Sequence, residues 1–246
     1  MQVIRRANTA SWDNRYSIGK WGSKLLKNEI HTEEFYVASI DLLGIKDIIK
    51  SDVEDKNLNR IKALYNNWPR ILKDGYFQDM KIRFFSDNFV IALQANKHGA
   101  TDRILETIAW ICNQFLRCGY KPRGGITKGQ FYMDAIFVWG PALVDAYLLE
   151  SKEALYPRIL IDERIVNEAS NHLSNRMIYR DEDDKLCLNY LKAFGGNREL
   201  RIRDIDDMLL RVEQEINELE QKPEFEDKEK IMKKLIWLKK FEESNR

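Results

Sequence analysis

The spacing of hydrophobic and polar positions divides the chain into strand-like and helix-like segments. Residues 35–43 (FYVASIDLL) are mostly apolar and of strand length, which predicts a strand buried on both faces. Two short apolar runs, 81–85 and 89–93, are separated by residues 86–88 (SDN), which predicts a tight hairpin with an acid at its tip. Further strands are predicted at 123–132, 157–162, 177–179 and 186–190.

Between these strands, apolar residues recur at helical spacing. One stripe runs from residue 45 to residue 72 and is ended by Gly75, and a second runs from Ile104 to Leu116 and is ended by Gly119. Further helices are predicted at 142–152 and 163–169. The resulting order, β-α-β-β-α-β, defines a ferredoxin-like split βαβ core, so the predicted fold class is α+β.

The two ends of the chain differ from this central domain, which spans residues 34–200. Residues 1–33 are polar and basic and contain two tryptophans. This segment is interpreted as an arm that packs its tryptophans on the domain, or alternatively as a contact for a partner or for nucleic acid. Residues 201–246 carry an apolar stripe interrupted at Pro223, which predicts a C-terminal helical hairpin that docks on the domain or on a second subunit.

Composition narrows the classes of partner and compartment. The formal net charge is +1, so no global field attracts nucleic acid or a membrane surface, and neither is expected as a partner. No window approaches the about 20 apolar residues of a membrane span. The three cysteines match no zinc-binding spacing, and Cys112 and Cys187 are predicted to be core thiols. These features favour a reduced, cytoplasmic protein.

Two acids stand out by their position. Asp41 lies at the end of the first strand, and Asp87 lies at the tip of the hairpin between strands two and three. Because strands one and three are neighbours in a split βαβ sheet, the two carboxylates are predicted to lie close together, an arrangement that suits Mg²⁺ or Mn²⁺. Asp87 alone is also explained as a turn residue. Asp41, among apolar neighbours, costs free energy unless it is paired or metal-bound.

Four motifs in this order resemble the catalytic domain of class III nucleotidyl cyclases, over roughly residues 35–165. Residues 40–45 (IDLLGI) stand where the family has its first metal motif, Phe-x-Asp-(Ile/Leu)-x-Gly-Phe, and Ser86–Asp87 where it has a Gly-Asp hairpin tip. The Gly-Ile-x-x-Gly strand is similar to residues 125–129 (GITKG). The Trp-Gly-x-x-Val-Asn-x-Ala-x-Arg-Leu-Glu helix is similar to residues 139–150 (WGPALVDAYLLE). The expected fold is therefore a nucleotidyl-cyclase palm.

The resemblance implies a site that binds a nucleoside triphosphate together with Mg²⁺ or Mn²⁺. The metal ligands that it implies are Asp41, Leu42 and Asp87. The nucleotide contacts that it implies are Leu42, Gly44, Lys81 and Phe137, to which Lys128 and Tyr147 are added as candidates from the sequence itself. The catalytic residues that it implies are Asp41 and Asp87, to which Arg123 and Arg158 are added in the same way.

The chain departs from the family in the part that stabilises the transition state. The family's Asn and Arg fall at Val144 and Leu148, and neither side chain can hydrogen-bond a phosphate. Of the two base-selecting positions, one matches Lys81 and the other is Phe137, where purine cyclases have a polar residue. The candidate replacements are Arg123, Lys128, Tyr147 and Arg158. The alternative for each of the three cations is a surface position or a structural ion pair.

The resemblance further implies a head-to-tail homodimer with two equivalent sites. The first functional hypothesis is an enzyme that makes a cyclic nucleotide. A cyclic pyrimidine nucleotide, as made by bacterial antiphage pyrimidine cyclases, is one product that this hypothesis permits. The second is a catalytically degenerate module that binds a nucleotide and dimerises. A palm-type polymerase or dinucleotide synthase is a third, and the absence of a Gly-Gly-Asp-(Asp/Glu) hairpin counts against it.

Overall fold

The long apolar run forms the central strand of the computed structural model, β1 (Glu33–Leu43). The predicted hairpin forms β2 (Lys81–Phe85) and β3 (Asn88–Gln94), and β4 (Lys121–Met133) follows it. The sheet order is β2-β3-β1-β4, with β1 antiparallel to both β3 and β4. This order confirms the predicted ferredoxin-like core, in which strands one and three are neighbours.

The structure describes residues 31–54, 79–169, 176–192 and 198–245, together with Lys62 and Phe77. The segment from Thr32 to Arg246 forms one unit, and the fold described below is that of this unit. The arm predicted at residues 1–33 lies almost wholly outside the described residues. The same is true of most of the helical stripe predicted between residues 58 and 72.

Short strands extend the sheet beyond β4. They are β5 (Val138–Trp139), β6 (Ile159–Ile161), β7 (Ile178–Arg180) and β8 (Leu186–Leu188). β6 is parallel to β4, and β8 and β7 follow it toward the edge, whereas β5 pairs with the end of β4. The second predicted hairpin is therefore confirmed, as the pair β7 and β8.

The predicted helices are present, with shifted ends. They are α1 (Ile45–Glu54), α2 (Ala100–Arg117), α3 (Pro141–Leu148), α4 (Glu163–Val166), α5 (Arg198–Gln221) and α6 (Lys228–Glu243). Pro223 lies between α5 and α6, which form the predicted C-terminal helical pair. None of the helices in the described ranges is long and apolar enough to cross a membrane.

The two faces of β1 contribute to two different apolar layers, as its continuous hydrophobicity predicts. Ile40 and Leu42 belong to the larger layer, which includes the buried face of α2. Phe35 and Val37 belong to a smaller layer with Ala142 of α3. Cys112 and Cys187 are fully buried, in agreement with their predicted role as core thiols. The ends of the central strands are thereby fixed against both helical layers.

The helix predicted at residues 142–152 is divided in two. After α3, the segment Leu149–Glu153 forms a π-helix, in which the amide of Ala154 donates to the carbonyl of Leu149 at 2.9 Å. Gly125 of β4 allows this segment to approach the sheet closely, since a Cβ there would lie 2.5 Å from the Cβ of Leu149. The π-helix contains Glu150, which this close approach places against the sheet.

Candidate nucleotide and metal site

Asp41 and Asp87 lie side by side at one end of the sheet. Asp41 is paired in register with Asn88, the first residue of β3, and Asp87 precedes that residue in the turn. The amide of Leu42 donates to the carbonyl of Asp87 at 3.1 Å, which ties the strand end to the hairpin tip. Ser86 has a φ of 57°, the left-handed conformation that allows so tight a turn. The expected meeting of strand end and hairpin tip is thus present.

Arg123 is the cation of this cluster. It lies directly opposite Asp41 in the β1–β4 register. Its Nε donates to Oδ2 of Asp41 at 2.8 Å, and its Nη2 lies 2.9 Å from Oε1 of Glu150. Gly125, two residues further along the strand, leaves room for the π-helix that carries Glu150, so Glu150 can reach the side chain of Arg123. One guanidinium therefore bridges a strand-end acid and a helical acid.

Glu150 is the most deeply buried acid of the cluster, with a side chain that is 2% exposed. Its contact with Arg123 has the distance of an ion pair but not the alignment of a hydrogen bond, so Oε1 has no hydrogen-bond partner within the described residues. Burial raises the pKa of Glu150 to about 7, Arg123 opposes this shift, and the charges of Asp41 and Asp87 add to it. The site thus concentrates negative charge beyond what Arg123 neutralises.

This surplus of carboxylate suits a divalent cation. Mg²⁺ is usually held by one or two carboxylates and completed by water and substrate phosphates, which matches the pair Asp41 and Asp87. In the described part of the chain, no group of three or more His, Cys, Asp or Glu side chains is arranged to hold a metal by itself. Asp41 and Asp87 are therefore the residues that would hold the cation, and water and phosphate oxygens would complete its coordination. Leu42, which is 1% exposed, can offer only its backbone.

The other sequence-predicted nucleotide contacts are spread over β2, β4 and α3. Nζ of Lys81 donates to the carbonyl of Met133 at 2.7 Å, and Nζ of Lys128 donates to Glu168 at 2.8 Å. Phe137 is 59% exposed and Tyr147 is 52% exposed, so neither side chain is committed to the core. Gly44 has a φ of 79° and joins β1 to α1 directly after the cluster.

Arg158 is held elsewhere in the fold. It is 1% exposed, and its two terminal nitrogens donate to Asp181 and Asp183 at 2.6 to 2.7 Å and to the carbonyl of Glu153 at 3.2 Å. None of these acceptors belongs to the Asp41 cluster. The alternative considered for this residue, a structural ion pair, describes its position, and we do not retain Arg158 as a phosphate-binding candidate.

Sequence reasoning did not assign Glu150 to the site, although the residue closes the helix motif that carries the resemblance. The available signal was an acid directly after the apolar stretch from Ala146 to Leu149. Such an acid needs a buried partner. Only the close approach of the π-helix to β4 identifies that partner as Arg123.

Comparison with solved structures shows what this geometry is similar to. The adenylyl cyclase CyaB from P. aeruginosa matches with a TM-score of 0.51 and 14% identity, over 70% of this chain and 98% of that one. The guanylate cyclase domain of RhGC from Catenaria anguillulae, in complex with GTP, matches with a TM-score of 0.46 and 14% identity, over 63% and 93% of the two chains. No family model and no curated protein matches the sequence.

The chain has the fold of a nucleotidyl-cyclase catalytic domain. The CyaB match supports this by covering nearly the whole of that domain. At this level of identity the likeness concerns the fold, and function is argued below from the site.

The buried Glu150 predicts a specific pH dependence of stability. Its pKa is about 7 in the fold against 4.5 in an unfolded chain, so the folded state retains a proton that the unfolded state loses. The free energy of unfolding should therefore fall as the pH rises from about 4.5 to about 7, by at most about 3 kcal/mol from this group. In Glu150→Gln this contribution should disappear. Chemical denaturation of the metal-free protein across this range measures it.

The matched control is Glu163→Gln, an acid that is 79% exposed. Its stability profile should run parallel to that of the unmodified protein. If the profile of Glu150→Gln also runs parallel to it, Glu150 does not carry a raised pKa, and the electrostatic description of the cluster is wrong.

Proposed function

We propose that the protein is a divalent-metal-dependent nucleotide cyclase, which converts a nucleoside triphosphate into a cyclic nucleotide and pyrophosphate. The observation that carries the proposal is the position of Asp41 beside the hairpin turn that carries Asp87, at one end of a sheet with the cyclase fold, next to Arg123 and the buried Glu150. Two such carboxylates suit Mg²⁺ or Mn²⁺ bound together with triphosphate oxygens.

The reaction joins the ribose 3′ oxygen to the α-phosphorus and releases pyrophosphate. The 3′ hydroxyl loses its proton to solvent, and its oxygen bonds to the α-phosphorus as the bond from that phosphorus to the leaving pyrophosphate breaks. A bound metal would lower the pKa of the ribose hydroxyl and neutralise charge on the phosphates. Asp41 and Asp87 would hold it, and Arg123 would turn from Asp41 toward the phosphate oxygens. Glu150 remains as the acid that orients Arg123.

Arg123 is also a candidate replacement for the family's transition-state Asn and Arg, which this chain lacks. Val144 and Leu148 are 56% and 36% exposed and apolar, so they offer no charge to the reacting phosphate. Arg123 is a guanidinium within reach of the strand-end acids, and its planar fork suits phosphate oxygens. We assign it the charge-stabilising role that the family's helix performs elsewhere.

A cyclic pyrimidine is the product that we favour. Phe137 offers no hydrogen bond to a purine edge, and Lys81 has a backbone acceptor in Met133. These two positions are the base-selecting ones in the resemblance, so the purine pattern is not carried over. A role in bacterial antiphage signalling stays a prediction from the same resemblance.

We further propose that the active form is a head-to-tail homodimer. Large apolar side chains are exposed on β5, on α3 and on the loop before them: Ile136, Phe137, Trp139, Val144, Tyr147 and Leu148. Several large apolar side chains exposed on successive elements are typical of an interface. The resemblance makes the same region the contact through which one subunit completes the site of the other.

The dimer proposal predicts that Trp139→Glu, at a side chain that is 66% exposed, yields a monomer with little turnover. A charge in an apolar interface stays unpaired and opposes association. Sedimentation velocity measures the mass, with Val53→Glu, at a 65% exposed position on α1, as the control. Equal masses for the Trp139 variant and the control, with turnover retained, would contradict the proposed interface.

A second candidate function rests on the ion pair between Arg123 and Asp41. The guanidinium of Arg123 donates to this carboxylate at 2.8 Å, so a metal ion would have to compete with Arg123 for Asp41. A protein that kept this pair would bind a nucleotide without a metal and signal by dimerisation. The enzyme is favoured because the acids outnumber the cation that neutralises them.

The central assay incubates the purified protein with ATP, GTP, CTP and UTP separately, each with Mn²⁺, and identifies products by mass spectrometry. We expect a cyclic mononucleotide from at least one pyrimidine triphosphate. Asp41→Asn and Asp87→Asn should each reduce its formation by at least about 100-fold, because the metal then lacks a charged ligand.

Asp79→Asn is the matched control. Asp79 is another turn acid, its φ of 75° is one that Asn tolerates, and it is paired with Lys97 rather than with the cluster. Turnover in this variant should match that of the unmodified protein. Metal-independent nucleotide binding with no product from any of the four triphosphates would instead establish the binding module.

A further inference from the structure

The C-terminal helical pair is attached at the same end of the sheet as the acid cluster. Nζ of Lys121, the first residue of β4, lies 2.7 Å from a carboxylate oxygen of Glu215 on α5. Lys121 is paired in register with Leu43, two residues beyond Asp41, and it lies two residues before Arg123. The pair of helices is therefore anchored beside the strand ends that form the proposed site.

The second helix of the pair, α6, is fixed in rotation about its axis. Leu235 and Leu238 are buried in the main apolar layer. Nε1 of Trp237 donates to Asp181 at 3.0 Å, and its ring stacks on Tyr156 with centroids 5.7 Å apart. These contacts determine which side of α6 faces the sheet.

Lys234 lies on that side. It precedes Leu238 by four residues, so the two side chains project from the same face of the helix. Lys234 is half-buried, whereas its neighbour Lys233 projects to solvent. Burial lowers the pKa of Lys234, the positive charge of Arg123 lowers it further, and the charge of Asp41 opposes both. Leu238, one turn further along α6, lines a small cavity together with Lys121 at the start of β4, so this part of α6 packs at the end of the sheet that carries the acid cluster.

Lys234 also differs from the other lysines of α6 in its partners. Lys233 pairs with Glu229 at 2.6 Å, and Lys239 pairs with Glu213 at 2.9 Å. Across the described ranges, no carboxylate lies within ion-pair distance of Lys234. A half-buried ammonium without an acid costs free energy, and an anionic ligand would offset that cost.

We propose that Lys234 binds the polyphosphate of the nucleotide, so that the C-terminal helices form part of the site. The inference rests on the proposed function, since it requires a triphosphate at Asp41 and Asp87. Lys234 and Arg123 then supply two positive charges from different elements, a mobile ammonium and a planar guanidinium, to the same phosphate chain. The added helices thus have a ligand-binding role in addition to covering the apolar layer.

The test is equilibrium binding by calorimetry, with probes that cannot cyclise. They are the four 3′-deoxynucleoside triphosphates and inorganic tripolyphosphate, each with Mn²⁺, and the corresponding nucleosides without phosphate. Lys234→Met should weaken binding of the preferred triphosphate and of tripolyphosphate by about 10-fold, the value of one charge-assisted hydrogen bond. Binding of the nucleoside should be unchanged.

The control is Lys233→Met, which should bind every probe like the unmodified protein, and Lys234→Arg should restore most of the lost affinity. Lys234→Met should melt no lower than the unmodified protein, because it removes an unpaired buried charge. Lys234→Gln serves as a second variant if the methionine variant does not fold.

Three outcomes would overturn the inference. Unchanged triphosphate affinity in Lys234→Met, with clear binding by the unmodified protein, removes Lys234 from the site but leaves the proposed function intact. A variant that loses nucleoside affinity and melting temperature together marks a structural residue. Failure of the unmodified protein to bind any triphosphate overturns the proposed function and this inference together.

Discussion

The interaction on which the site depends is the contact of Arg123 with two acids, Asp41 on the neighbouring strand and Glu150 on the π-helix. A carboxylate as buried as Glu150 is not stable as an anion without a positive charge nearby. Arg123 supplies that positive charge, and the carboxylate in turn holds the guanidinium in place. The sheet, α3 and the π-helix are thereby joined at the point where the proposed chemistry takes place.

This arrangement is the reason that we propose a metal and a triphosphate at this end of the sheet. The β1–β3 register brings Asp41 beside the turn that carries Asp87, and Gly125 allows the π-helix to approach. Negative charge then exceeds positive charge within the cluster. In our proposal, Arg123 and Lys234 bind the phosphate oxygens. A divalent cation at Asp41 and Asp87 would offset this excess and would attract the phosphates of a nucleotide.

Much of the fold follows from hydrophobic spacing, because strand alternation and hairpin length are local properties of a sequence. The hairpin at Ser86 and Asp87, and its position next to β1 in the sheet, were predictable for that reason. Contacts between distant elements were not. The sequence does not reveal that Arg158 pairs with Asp181 or that Arg123 meets Glu150, because each contact depends on how a helix or loop packs on the sheet.

The most direct test of the central claim is a crystal structure with Mn²⁺ and a non-cyclisable pyrimidine triphosphate, with anomalous scattering recorded at the manganese edge. The account predicts an anomalous peak at coordinating distance from the carboxylates of Asp41 and Asp87. It also predicts that the guanidinium of Arg123 has left Asp41 for a phosphate oxygen. A nucleotide bound with no manganese peak between these acids, and with Arg123 still bonded to Asp41, would contradict it.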